Sequence, residues 1–166
     1  MSVRNTTGDT KMSITFHAIS TKTAQTAWRG GPDAHGLAPE RFVSDGGGVP
    51  CRHCLKSIPA GKPALVLALR PFDTLHAYAE CGPVFLCGSP CERAEPKDEL
   101  PAILESQSYI LRGYGSDERI VYGTGAVTPT DQIIQRAQSL FRDPRIAFLH
   151  VRSAANNCFH CRIERA

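Results

Sequence analysis

Two short cysteine pairs are the residues of this sequence whose type and spacing could do chemistry. Cys51 and Cys54 are separated by two residues and follow a run of glycines, and Cys158 and Cys161 repeat that spacing near the end of the chain. A C-x2-C pair on a tight turn can chelate Zn²⁺, and four thiolates around one ion form a closed structural site. We therefore predict a zinc site built from four cysteines: Cys51, Cys54, Cys158 and Cys161.

A second quartet competes with this one. Cys87 and Cys91 bracket a Gly-Ser-Pro turn that could aim both thiols at the first pair. Neither C-x2-C pair is followed by the glycine that is usual in a zinc knuckle. If residues 158–163 form a regular strand, positions three apart point to opposite faces, and Cys161 is then a buried core thiol. Both quartets stay open, and Cys81 belongs to neither.

An enzymatic interpretation treats Cys51 and Cys54 as a redox dithiol. A cysteine becomes nucleophilic when a helix N-terminus or a nearby cation lowers its thiol pKa, and Arg52 and His53 could favour a thiolate. The redox motif normally opens a helix, however, whereas this pair runs into a proline turn at Pro59. A non-catalytic zinc domain is therefore the first hypothesis and a thiol-redox or small-molecule enzyme the second.

Polar residues also gather near the last turn of the chain. His150, Arg152, Asn156 and Asn157 could hold a small anionic ligand there, because loops often carry binding sites. The simpler interpretation is a solvated turn, in which the amides satisfy backbone groups. The glycines of residues 123–125 resemble a phosphate loop only faintly, since the lysine and third glycine of the known motifs are missing.

Composition and charge narrow the class of protein. With 166 residues, 42% of them hydrophobic, the chain can bury one core. A net charge of +3 without a basic run argues against nucleic-acid binding. The N-terminus does not read as a secretion signal, and the apolar run at 64–69 is too short to cross a membrane. We therefore expect a cytoplasmic protein, where close cysteines more often bind metal than form disulfides.

The hydrophobic patterns predict an α+β fold. We expect a flexible segment over residues 1–13 and a single domain over 14–166, with a mainly antiparallel sheet and two or three helices. Strands are predicted at 14–19, 64–69, 83–87, 146–151 and 158–163, and a hairpin pairs 109–114 with 119–122. Residues 32–50 read as a loop.

Helix signals occur at three places. Ser20 or Thr21 can cap a brief helix that runs through Trp28 and ends at the glycines and proline of residues 30–32, and a short helical stretch is predicted near residues 103–104. The clearest signal is Thr128-Pro129, a hydroxyl cap followed by proline, ahead of an apolar stripe that continues to Phe141.

Five stretches together are similar to a bacterial family known as domain of unknown function 1203. They are Pro-Cys-Arg-His-Cys-Leu at 50–55, Gly-Pro-Val-Phe-Leu at 82–86, Arg-Gly-Tyr-Gly at 112–115, Val-Tyr-Gly-Thr-Gly at 121–125, and the segment 150–162. The resemblance runs from about residue 14 to the C-terminus and implies a small bacterial intracellular protein without an assigned activity. It also implies that similar members carry histidine at the position of Cys87, which would preserve a zinc ligand.

Overall fold

The protein folds into two antiparallel sheets and two short helices, and the computed structural model describes residues 11–166. Most of the predicted flexible segment, residues 1–10, lies outside the described part. In chain order the elements are β1 (Ile14–His17), α1 (Thr21–Trp28), β2 (Glu40–Val43), β3 (Pro63–Leu69), β4 (Gly82–Cys87), β5 (Ser108–Tyr114), β6 (Ala126–Pro129), a 3-10 turn (Thr130–Gln132), α2 (Ile133–Leu140), β7 (Phe148–Ser153) and β8 (Phe159–Arg165). The predicted α+β class is confirmed, with a mostly antiparallel arrangement and two helices.

The five-stranded sheet has the order β1-β8-β7-β5-β6, and its two faces differ in character. One face packs against α2: Leu111, Leu149 and Ile163 are fully buried with Ile133 and Ala137 of the helix. Side chains alternate between the faces of a strand, so Arg112, His150 and Arg162, which are register neighbours, lie on the opposite face. The sheet thus separates an apolar core from a face that combines arginine and histidine with buried aromatic side chains.

The three-stranded sheet has the order β2-β3-β4 and carries the second core. Its buried side chains include Leu65, Leu86 and Val84, and α1 contributes Ala24 and Ala27. Ser20 caps α1 by accepting a hydrogen bond from the backbone N–H of Thr23 at 3.2 Å, as its position predicts. The indole N–H of Trp28 donates to the carbonyl of Cys87 at 2.9 Å, which joins the end of α1 to the end of β4.

Several elements differ from the sequence prediction. β2 lies inside the predicted loop 32–50, because β3 supplies a partner edge that the local sequence does not reveal. Thr128 lies in β6, which pairs with β5, and the helix begins only after the 3-10 turn. Residues 103–104 form turns, and residues 119–122 contribute only the isolated bridge between Tyr114 and Ile120. In residues 11–166 neither helix has the length and apolarity that crossing a membrane requires.

Candidate metal centre

Four cysteine sulfurs meet at the edge of the three-stranded sheet. Cys51, Cys54, Cys87 and Cys91 place their Sγ atoms within 4.8 Å of one another. The Sγ atoms of Cys51 and Cys91 are 3.8 Å apart, and those of Cys54 and Cys87 are 3.9 Å apart. A tetrahedral zinc ion with Zn–S bonds of about 2.3 Å requires sulfurs about 3.8 Å apart. Two of the sulfur separations therefore match edges of such a tetrahedron, the cluster could hold a metal ion, and these cysteines are free thiols.

The first cysteine pair is carried by a knuckle between the glycine tract and the proline turn. Its backbone closes when the N–H of Leu55 donates to the carbonyl of Cys51 and the N–H of Cys51 donates to that of Lys56, both at 3.0 Å. Leu55 adopts a left-handed conformation with φ of 54°, the geometry for which knuckles normally use glycine. Its side chain is 5% exposed in the core beside α2. Burial of leucine offsets the backbone strain that glycine would avoid.

The second pair is carried by the turn that ends β4. Gly88 passes so close to β3 that an added Cβ would lie 2.7 Å from the backbone of Pro63. The N–H of Gly88 donates to the Pro63 carbonyl at 2.7 Å. The backbone N–H of Arg52 in the knuckle donates to the carbonyl of Phe85 in β4 at 3.1 Å. These contacts hold the turn after β4 against β3 and the knuckle against β4, and they bring the four thiols together.

The thiols of this cluster strongly influence one another. Hydrogen bonds from the side chains of Cys54 and Cys87, and from backbone N–H groups, hold the pKa of Cys51 far below its usual value. Burial and the negative charges of Cys51 and Cys54 raise the pKa of Cys91 to about 12. Hydrogen bonding and burial also raise the pKa of Cys87. Several thiolates are therefore unfavourable together without a cation, and a divalent ion would remove that repulsion.

Two buried residues of the knuckle, His53 and Arg52, make hydrogen-bonding contacts around the cluster. His53 is 1% exposed and places Nδ1 3.3 Å from the Cys91 sulfur and Nε2 3.0 Å from the Thr21 hydroxyl. Burial lowers the pKa of His53, so a neutral ring can donate from Nδ1 to the thiolate. Arg52 is 2% exposed and donates to the carbonyls of Phe159 and Pro50, both at 2.7 Å. Arg52 thereby ties the knuckle to β8.

The other predicted pair lies elsewhere. Cys161 is fully buried in the core beside α2, opposite Val151, and burial raises its pKa to about 12. Cys158 precedes β8, and its thiol donates to the carbonyl of Asn156 at 3.7 Å. The chain therefore brings Cys51 and Cys54 to the alternative pair, Cys87 and Cys91, and not to Cys158 and Cys161. The alternation of β8 sends Cys161 into the apolar core.

The predicted polar turn lies apart from the cysteine cluster. Arg152, Asn156 and Asn157 line a cavity of about 190 Å³ between the two sheets, and Cys158 lies beside them. His150 is fully buried among aromatic rings, with its centroid 4.8 Å from those of Tyr114 and Phe159. A small anionic ligand at this turn stays a prediction.

Sequence reasoning missed residues that join distant parts of the chain. Glu80 contacts Arg112 and Arg152, and Glu118 holds the loop that contains Thr74. No spacing rule connects residues so far apart in sequence. Exposed Cys81 lies 3.8 Å from Nε2 of His35 and stays outside the cluster, as predicted.

Comparisons with known proteins give a family but not an activity. No curated protein matches the chain, and no solved structure matches it. The sequence profile of the family described as "Protein of unknown function (DUF1203)" matches residues 48–165, a span that contains all four clustered cysteines and the polar turn. Since that span covers most of the chain and agrees with the motifs of the sequence, the protein belongs to the DUF1203 family.

Proposed function

We propose that this DUF1203 protein is a zinc-binding domain in which Cys51, Cys54, Cys87 and Cys91 hold one structural Zn²⁺ ion. The observation that carries the proposal is the close approach of four sulfurs from two separate turns. The separations of 3.8 and 3.9 Å match two edges of a zinc-thiolate tetrahedron. The ion would join the knuckle to the end of β4.

The chemistry of the donors supports zinc and a structural role. Four sulfur ligands favour Zn²⁺ over ions that prefer oxygen, such as Mg²⁺ and Ca²⁺. A site with four protein ligands leaves no open position for water or substrate, unlike a catalytic zinc site. The backbone N–H of Cys87 donates to the Cys51 sulfur, and Nδ1 of His53 lies 3.3 Å from the Cys91 sulfur, as outer contacts do in metal sites.

A redox role fits the site less well. A reactive dithiol needs a thiolate that its partners can reach, whereas Cys51 is fully buried. The knuckle also does not open a helix. Thiolate ligands persist best where thiols stay reduced, which supports the proposal that the protein works in the cytoplasm.

Metal analysis of the purified chain tests this function directly. We expect about one zinc per chain by elemental analysis, with the four cluster thiols titrating only after chelation. Replacement of the bound Zn²⁺ by Co²⁺ should give the absorption bands of tetrahedral cobalt bound to thiolates. Metal-free protein with four freely titrating cluster thiols, after purification with zinc and reductant present, would contradict the proposal.

Single substitutions distinguish the two quartets. Cys87→Ser and Cys91→Ser should abolish stoichiometric zinc binding, because each removes one of four ligands. Cys158→Ser and Cys161→Ala are the matched controls and should retain one zinc per chain. Loss of zinc in the controls, with retention in the first two variants, would assign the metal to the other quartet.

A further inference from the structure

The polar face of the five-stranded sheet concentrates positive charge away from water. Arg112 on β5 and Arg162 on β8 lie directly across from His150 on β7, and Arg152 follows on the same strand. The side chains of Arg112 and Arg152 are only 17% and 4% exposed. A buried guanidinium is unfavourable unless an anion or several acceptors accompany it. Neutral acceptors meet part of this need, since Nε of Arg112 donates to the Tyr114 hydroxyl at 2.7 Å and Nη1 of Arg152 donates to the Asn157 carbonyl at 3.2 Å. A negative group meets the rest.

A single carboxylate lies between two of these arginines. One oxygen of Glu80 accepts from Nη2 of Arg112 at 2.8 Å, and the other lies 3.3 Å from Nη1 of Arg152. The Glu80 side chain is 36% exposed, so its carboxylate reaches the arginines from the solvent side. Arg162 pairs separately with Glu164 at 2.6 Å. One carboxylate for two guanidinium groups leaves a net positive charge.

Two buried donors at this face have no partner in the part of the chain that the structure describes. They are Nε of Arg152 and Nε2 of His150. Nδ1 of His150 accepts from Nη2 of Arg152 at 3.3 Å, which places the proton of the neutral ring on Nε2. Burial and the neighbouring arginines hold the pKa of His150 well below its usual value. Unpaired buried donors are costly, so this face could accept another oxygen ligand.

The approach to Arg152 is open through a cavity of about 190 Å³. Glu80 and Arg152 line it, together with Asn156 and Asn157 of the turn before β8 and Pro83 of β4. Ordinary ligand pockets measure about 300–1,000 Å³, so this one suits a small molecule. Glu80 belongs to the segment between β3 and β4, which contains no helix or strand and can move more easily than a sheet.

We propose that this cavity binds a small carboxylate compound, whose carboxylate replaces that of Glu80 between Arg112 and Arg152. One guanidinium group that donates to a carboxylate oxygen and a second that forms an ion pair with the other oxygen are a strong arrangement for a carboxylate. Glu80 is the internal occupant, and its partial exposure lets an external carboxylate compete with it. Asn156 and Asn157 line the cavity, where their amides could contact the rest of the ligand. This site is independent of the zinc site.

Removal of Glu80 in the zinc-loaded full chain tests the proposal, with acetate as the probe. Glu80→Ala should bind acetate on the order of tenfold more tightly than the wild type, because no internal carboxylate competes. The readout is the midpoint of thermal unfolding during an acetate titration at constant ionic strength, with chloride as the replacement. The backbone and ring N–H signals of His150 in NMR spectra should shift with the same saturation.

Asp143→Ala is the matched control. The exposed fraction of the Asp143 side chain, 31%, is similar to the 36% of Glu80, but its partner Arg145 is 73% exposed. Loss of this carboxylate should create no acetate response, since an exposed guanidinium is already solvated. If Glu80→Ala folds poorly, Glu80→Gln keeps the shape and removes the charge, and it should show the same response.

Three results would overturn the inference. One is an acetate effect no larger than that of chloride in both Glu80 variants, and another is an equal effect in Asp143→Ala. The third is stronger stabilisation by inorganic phosphate than by acetate, which would assign the site to a phosphoryl group. Zinc content should stay constant throughout, so failure of this proposal leaves the zinc site untouched.

Discussion

The two sheets of this protein are stabilised in different ways. The five-stranded sheet buries large apolar side chains such as Leu111, Leu149 and Ile163 beneath α2. The three-stranded sheet rests on an eight-residue helix that contributes two alanines to its core, Ala24 and Ala27. Its edge is completed by the cysteine cluster, where the knuckle meets β4. A three-stranded sheet is near the lower limit of an independently stable sheet, so a metal ion at its edge would add to the stability of this core.

The two sheets also differ in the chemistry of their polar side chains. At the small sheet the donors are soft sulfurs that repel one another as thiolates, which calls for a cation. At the large sheet the buried groups are guanidiniums that repel one another, which calls for an anion. The same fold therefore holds two groups of side chains with opposite charge preference, the cysteine cluster at the small sheet and the arginines on one face of the large sheet.

The largest expected effect comes from removing a metal ligand at the small sheet. Cys51→Ser should lose zinc and lower the stability of β2, β3 and β4 by more than about 5 kcal/mol, because structural zinc binding can supply about 10 kcal/mol or more. Hydrogen exchange should show lost protection in those strands, whereas β5, β7 and β8 stay protected. Unchanged protection of β2–β4 in metal-free Cys51→Ser would remove the proposed difference between the sheets.

The converse change tests the large sheet. Leu111 is fully buried against α2, so Leu111→Ala should lower the free energy of unfolding by about 2–5 kcal/mol through lost burial and a cavity. Denaturant unfolding measures this loss, and zinc content should stay at one per chain. Zinc loss from folded Leu111→Ala would show that the two regions are not independent.

A substitution at Gly88 tests how closely the turn that carries Cys87 and Cys91 must approach β3. Gly88→Ala would place a Cβ 2.7 Å from the backbone of Pro63, so we expect a loss of about 1–3 kcal/mol and weaker zinc binding. Competition with a chromophoric chelator measures the affinity. Gly82→Ala, at the start of β4, is the control, since its added Cβ meets no atom within 4 Å. Equal affinities of the two variants would contradict this account of the turn.

The hydrogen bond from His53 to the Cys91 sulfur should tune the metal affinity. His53→Phe keeps a ring against Trp28 but removes the N–H donor, and we expect zinc affinity to fall about 10–100-fold. His53→Asn places an amide N–H near the position of Nδ1 and should restore part of the affinity. The same chelator competition measures both variants, and equal affinities for wild type and His53→Phe would refute this role.

The smallest effect concerns the loop over the arginine face. Burial alone would raise the pKa of Glu118, but hydrogen bonds from the Thr74 hydroxyl and from the N–H groups of Asp73 and Thr74 outweigh it and lower the pKa. A lowered pKa in the folded state adds stability above the pKa of the unfolded state, and this stability is lost as the pH falls through the lower, folded value.

Glu118→Gln should therefore cost about 1–2 kcal/mol at pH 7 and progressively less in acid, because the wild type loses the same contacts when it is protonated. Denaturant unfolding across pH 2–7 would measure the difference as an order-of-magnitude effect. Exposed Glu105→Gln serves as the control and should leave the stability nearly unchanged. A constant cost at every pH would contradict the ionic explanation.

Local sequence signals predicted part of this architecture. Ser20 gave the start of α1, apolar runs gave β3 and β4 to within one residue, and the C-x2-C spacing gave the knuckle at Cys51 and Cys54. The missed elements depend on distant partners. β2 has little apolar character of its own and exists because β3 offers it an edge, and β6 occupies the cap position at Thr128 because β5 lies beside it.

The candidate site divides in the same way. Spacing alone singled out Cys51 and Cys54 as a candidate chelating pair, because two cysteines on one tight turn are a local property of the chain, but the same spacing also singled out Cys158 and Cys161. The choice of Cys87 and Cys91 as their partners was made by tertiary structure, since β8 turns Cys161 into the core and β4 carries the other pair to the knuckle. Leu55 shows why local reasoning fell short. The absence of glycine at this position argued against a zinc knuckle, yet burial of the leucine side chain in the assembled core supports the left-handed backbone there. The sequence by itself therefore determined the class of fold and the sulfur chemistry, while only the folded chain decided which sulfurs meet.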